Sequence, residues 1–164
     1  MSSQTNHVTQ IKELALIVGD CLSNYIAVHD AIFRDAASFK SLLKNLLGRG
    51  VPMSKLLEDS ERLLPQWEVI HQKMEAFRRS NYSSLSKGEK CYFNILSRYV
   101  AAVRKSVVAL IDRQRLMAEG SKSRANNPMT LEAYKQKEEI YQTAVEEYTA
   151  IGQELNMAAP IIFG

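Results

Sequence analysis

The chain has 164 residues, of which 46% are hydrophobic and 24% charged, with a formal net charge of +3. Those figures suit one domain with a sizeable core and exclude a wholly disordered or fibrous chain. Seven glycines and four prolines are too few for a turn-rich sandwich or barrel, so the class is all-α. The longest apolar runs, Leu14–Val18 and Val107–Ile111, fall far short of the roughly 20 residues a spanning helix needs. The first ten residues are polar, without the pattern of a secretory signal, and Cys21 and Cys91 make neither a disulfide framework nor a metal knot. The expectation is a soluble intracellular helical protein.

Heptad spacing defines the first element. Ile11, Val18, Tyr25, Ile32, Phe39 and Leu46 recur every seven residues, and Leu14, Cys21, Val28 and Leu42 fill the second seam position, interrupted once by Asp35. One helix is expected over about 8–47, on the order of 60 Å long, ending at Gly48-Arg49-Gly50-Val51-Pro52. A second helix, about 53–80, carries Leu56, Leu63, Trp67, Ile70, Met74 and Phe77. Pro65 inside it removes a backbone donor and crowds the carbonyl of Glu61, which predicts a kink. Ser80–Ser86 is a polar interruption, and Ser86-Lys87-Gly88-Glu89 has capping-box spacing. A helix therefore restarts there or a distorted one continues, over about 86–120, with Tyr92, Leu96, Tyr99, Val103, Val107, Leu110 and Met117 inward. Gly120 is expected to stop it before a polar loop at 121–128. The last helix, about 129–158, has Tyr134, Tyr141, Tyr148 and Leu155 as its seam, and an apolar run, Ala158–Phe163, follows with no obvious place to go.

No pattern of catalytic chemistry stands out. His7, His29 and His71 lie far apart. Glu68-Val69-Ile70-His71 has the E-x-x-H spacing of di-iron bundles but no second copy. Gly48-x-Gly50 lacks the third glycine of a nucleotide loop. No enzyme, cofactor or metal site is expected. Charge carries more information: residues 1–77 sum to −1, residues 78–124 to +8 and residues 125–164 to −4. Within the basic segment Arg98, Arg104, Lys105, Arg113 and Arg115 lie on the third helical segment, with Lys122 and Arg124 on the loop beyond. Two readings are open. Either this is a solvated face paired with the acidic last helix, or it is a surface for anionic lipid. Nucleic acid is disfavoured, because no aromatic is clearly interleaved to stack bases.

Several stretches resemble the BAR domain, the membrane-curvature module of the amphiphysin and endophilin type. Tyr25-Ile26-Ala27 with Ile32, Leu43 and Leu46 looks like the family's first helix. Trp67-Glu68-Val69-Ile70-His71-Gln72-Lys73-Met74 is similar to its W-x-x-[FY]-H-Q-K-[LM] run, with Ile70 replacing the aromatic. Arg104–Arg115 falls where the family is rich in basic residues, and Asp112 resembles its acidic residue before the tip. Tyr141, Ala144, Tyr148, Ile151, Leu155 and Pro160 follow its third-helix pattern. The stretch between Trp67 and Asp112 is longer than in the family by about one heptad, an insertion that keeps helix phase, and the third helix stops short of the family's length.

The resemblance implies long kinked antiparallel helices in a coiled-coil-like bundle, forming a homodimer or a heterodimer with another BAR-like chain. It further implies non-enzymatic, peripheral binding of anionic phospholipid membranes from the cytoplasm, with curvature sensing or membrane shaping in endocytosis or trafficking. Arg98, Arg104, Lys105, Arg113 and Arg115 would line the curved face, with Lys122 and Arg124 at the tip; the role does not extend to Arg78 or Arg79. With a short third helix, either another chain covers the apolar seam or the chain folds back as a monomeric bundle. The alternative function is an adaptor bundle that binds a protein through that seam or through the Ala158–Phe163 tail.

Overall fold

A computed structural model describes residues 2–34, 53–122 and 131–164. It contains α1 (Ser2–Arg34), α2 (Met53–Glu61), α3 (Leu63–Asn81), α4 (Lys87–Lys122), α5 (Leu131–Ala158) and a final short turn of helix, α6 (Pro160–Phe163). There is no strand among the described residues, and none of their helices is long and apolar enough to cross a membrane. The fold class is all-α.

The hydrophobic periodicity does what heptads do: it sets one face of each rod inward. Ile11, Val18, Tyr25 and Ile32 of α1 are all buried, and so are Trp67, Ile70, Met74 and Phe77 of α3. Every inward position expected between Tyr92 and Met117 is buried. Tyr141, Ala144 and Ile151 complete the core from α5. Helix α1 starts at Ser2, earlier than expected, since nothing from Ser2 to His7 breaks a helix. Its expected continuation to residue 47, with Asp35, Phe39, Leu42, Leu43, Leu46 and the Gly48–Pro52 stop, lies outside the described residues. Helix α4 runs through Gly120 to Lys122, so that glycine does not end it; a single glycine costs only about 1 kcal/mol against alanine.

Pro65 acts where its ring must. The carbonyl it crowds belongs to Glu61, and the rod is interrupted between Glu61, which ends α2, and Leu63, which opens α3. Arg62 keeps helical dihedrals and its own bond to the Glu58 carbonyl at 3.1 Å, so the two pieces remain one rod.

The polar interruption at 80–86 reverses the chain. A 3-10 turn at Tyr82–Ser84 is followed by extended Leu85, whose side chain is buried, and then by the capping box. The Ser86 amide donates to Glu89 Oε2 at 2.6 Å, and the Glu89 amide donates to Ser86 Oγ at 3.3 Å. The Trp67–Met74 run and the Arg104–Arg115 stretch therefore sit on antiparallel rods, with Glu68 opposite Arg104 and Arg78 opposite Asn94. Asn24 faces Gln66 across α1 and α3, Lys105 faces Glu147 across α4 and α5, and Tyr25 faces Tyr141 across α1 and α5. The result is four rods running up, down, up and down around a shared core, with α4 packed against α2, α3 and α5 and in direct contact with α1. The buried positions of the described first helix, Ile11, Val18, Tyr25 and Ile32, pack into this core.

Candidate functional site

Each exposed basic residue of the described α4 stripe has a carboxylate beside it, two of them on the acidic last helix. Arg98 reaches Glu154 at 2.8 Å, Lys105 reaches Glu147 at 2.5 Å, and Arg115 reaches Glu61 at 2.9 Å with Asp112 at 3.7 Å. Arg104 binds Glu68 at 2.5 Å. Antiparallel packing explains the pattern: α4 lies between α3 and α5, and its flanking positions fall level with their carboxylates. These pairs are half exposed, where each contributes only about 0.2–1 kcal/mol, but together they neutralise the stripe. The Lys122 side chain and Arg124 lie outside the described residues.

Arg113 departs from the surface reading altogether. Its side chain is 3% exposed. It pairs with Glu138, donates to Gln114 Oε1 at 2.8 Å and to Tyr134 Oη at 2.9 Å, and lies 4.8 Å over the Phe33 ring and 5.4 Å over Tyr134. It is a core cation that ties α4 to α1 and α5. Glu138 is pushed up by burial, but hydrogen bonds from Gln142 and Arg113, together with the Arg113 charge, outweigh that and hold its carboxyl below the ordinary value.

A tyrosine cluster lies beside it. Tyr25 Oη and Tyr141 Oη are 2.8 Å apart, Tyr148 stands edge-on to both Tyr25 and Tyr99, and Phe33 stacks on Tyr141. Burial pushes Tyr25, Tyr141 and Tyr148 up and carries Tyr99 to about 12. Because the folded values lie above the unfolded value near 10, stability is complete below pH ~10 and is lost as pH rises toward the folded values. Alkaline titration followed by circular dichroism and tyrosinate absorbance should show unfolding and the ionisation of these tyrosines together. Ionisation of every tyrosine near pH 10 without loss of helix would contradict the cluster.

Several cations without a carboxylate partner stand at the end of the bundle that holds the 82–86 turn. Lys12, Arg79, Lys87 and Lys90 are joined to no acid among the described residues. Lys90 donates to the Ser83 carbonyl and lies 5.7 Å over Tyr82, while Arg79 donates weakly to the Glu75 carbonyl. Arg78 sits 5.2 Å from the rings of both Tyr82 and Phe93, with Glu75 at 3.7 Å. Of the acids at this end, Glu89 is buried and caps its own helix, and Glu13 stands on the α1 side.

Apolar surface gathers at the same end. Leu16 is 70% exposed, Met157 75% and Ile161 58%. The run Leu14–Val18 causes part of this, since five consecutive apolar residues cover a helix all round, and Leu16 is the one of them turned away from the core. A cleft of about 390 Å³ lies among Lys12, Ala15, Leu16 and Phe163. A second, of about 450 Å³, runs between α1 and α3 over Leu14, Ile17, Ala76 and Phe77.

Sequence reasoning missed this end because it counted charge by segment. One signal was available: from Ala76 to Gly88 there are three cations and no acid. Compared with known proteins, the chain matches no family model, no curated protein and no solved structure. Glu68 of the E-x-x-H spacing is engaged with Arg104, and no group of three potential metal ligands occurs among the described residues.

Proposed function

We propose that this protein is a non-enzymatic binding module that attaches peripherally to anionic membranes through the turn end of its bundle. The observation that carries the reading is that Lys12, Arg79, Lys87 and Lys90, which meet no acid among the described residues, share the turn end with exposed Leu16, Met157 and Ile161, whereas the exposed cations Arg98, Arg104, Lys105 and Arg115 each meet a carboxylate. Each Lys or Arg near an anionic surface contributes about 1 kcal/mol. Lys12, Arg79, Lys87 and Lys90 together are enough for salt-sensitive attachment. The BAR resemblance supports the same class of partner but a different surface. A BAR-like dimer, curvature sensing and a role in trafficking belong to this proposal.

The adaptor reading is favoured by one observation, the cleft between α1 and α3, whose apolar floor and polar rim suit a partner's amphipathic helix. Co-sedimentation with phosphatidylserine-containing vesicles separates the two. Pelleting at low salt that weakens as salt is raised is the expected result, since screening shortens the reach of surface charges. Protein that stays in the supernatant at low salt overturns the membrane reading in favour of the adaptor. Light scattering on the same samples reads the oligomeric state.

A further inference from the structure

The turn end is more than a charged surface, because the chain's last residues are built into it. Pro160 has no amide hydrogen to continue α5, and α6 restarts the helix from Ala159, whose carbonyl accepts from the amides of Ile162 and Phe163 at 3.1 and 2.9 Å. Ala158 and Ile162 turn toward the core. Met157 and Ile161 are four residues apart and both face outward. The seat of α6 is specific. A Cβ on Gly88 would come within 2.9 Å of Ile161 Cγ2, so the missing side chain makes room for the tail against the first turn of α4. Phe163 meets Tyr92 edge-on at 5.1 Å and has the Lys12 ammonium 5.2 Å from its ring centre, with 38% of its surface exposed. Leu16 stands across the cleft.

Single exposed apolar residues need no explanation, but a contiguous group marks a contact surface. What occupies this one follows from its rim. The Lys12 ammonium stands over Phe163, Lys87 precedes the Gly88 on which Ile161 rests, and no acidic residue occurs between Asn156 and Gly164. Glu154, one turn earlier, is bound by Arg98. Apolar side chains bordered by a long cation match the boundary between headgroups and acyl chains, where lysine stems lie along apolar surface and their ammonium groups stay with the phosphates. On the membrane reading, which this inference presupposes, we infer that Met157, Ile161 and Phe163, with Leu16 beside them, form a wedge that enters the acyl region of an anionic bilayer. Attachment then has a salt-resistant part in addition to the electrostatic one.

The test uses Phe163→Trp. The native Trp67 is fully buried and reports no contact with lipid, so the unsubstituted protein is the baseline. With vesicles of phosphatidylserine and phosphatidylcholine in equal parts, the added tryptophan should shift to the blue and be quenched by brominated acyl chains, with the baseline unchanged. The double substitution Ile161→Asp and Phe163→Asp should weaken vesicle binding by about tenfold or more and leave the remainder fully reversible by salt. A Phe163→Trp protein that pellets with vesicles but is not quenched overturns the wedge while sparing the electrostatic reading; the tail is then free for a protein partner. Protein that never pellets at low salt overturns both.

Discussion

Arg113→Ala is expected to destabilise the protein by about 3–5 kcal/mol, because removing one partner of a buried ion pair leaves the other uncompensated. The loss is spread over three rods. Glu138 on α5 and the neighbouring Gln114 each lose a donor, Tyr134 loses the donor to its hydroxyl, and Phe33 on α1 loses the cation over its ring. Urea unfolding followed by circular dichroism measures the change. Glu138→Gln adds a check on sign. A carboxyl held below its ordinary value stabilises the fold above that value and ceases to do so as pH falls through the folded one. The gap between unsubstituted protein and Glu138→Gln should therefore be present at neutral pH and close in acid. An Arg113→Ala protein as stable as the original would mean that the guanidinium is solvated rather than buried.

Neutralising Lys12, Arg79, Lys87 and Lys90 together, each to Gln, should cost about 4 kcal/mol of vesicle binding at low salt, roughly a thousandfold in affinity. Helicity should be unchanged, since none of the four is joined to an acid among the described residues. The comparison variant changes Arg98, Arg104, Lys105 and Arg115 to Gln. Its expected effect is reversed: a small loss of stability as five surface ion pairs are removed, with vesicle binding largely kept. Loss of binding in this second variant but not in the first would return the surface to the α4 stripe.

The two variants separate positions that look alike in sequence. Arg98 and Lys87 both sit on α4, both exposed, and eleven residues apart. Only the packing of α5 alongside gives Arg98 a carboxylate, Glu154, while Lys87 at the helix start has none. Pairing between rods depends on which residues stand level with each other, and that level is set by where the chain turns. The turn at 82–86 decides it here. Had the helix continued through Ser80–Ser86, Trp67–Met74 and Arg104–Arg115 would share one rod, and Glu68 could not reach Arg104.

By itself the sequence determined the all-α class, the inward face of every described rod, the break beside Glu61 and the capping box at Ser86. Each of these is a local consequence of spacing within about one or two helical turns, or of proline's missing donor and bulky ring. The antiparallel return at Tyr82–Leu85, the withdrawal of Arg113 into the core, the neutralisation of the basic stripe and the seat of α6 on Gly88 were decided only by tertiary structure. They depend on which side chains from distant parts of the chain meet, and periodicity carries no information about that.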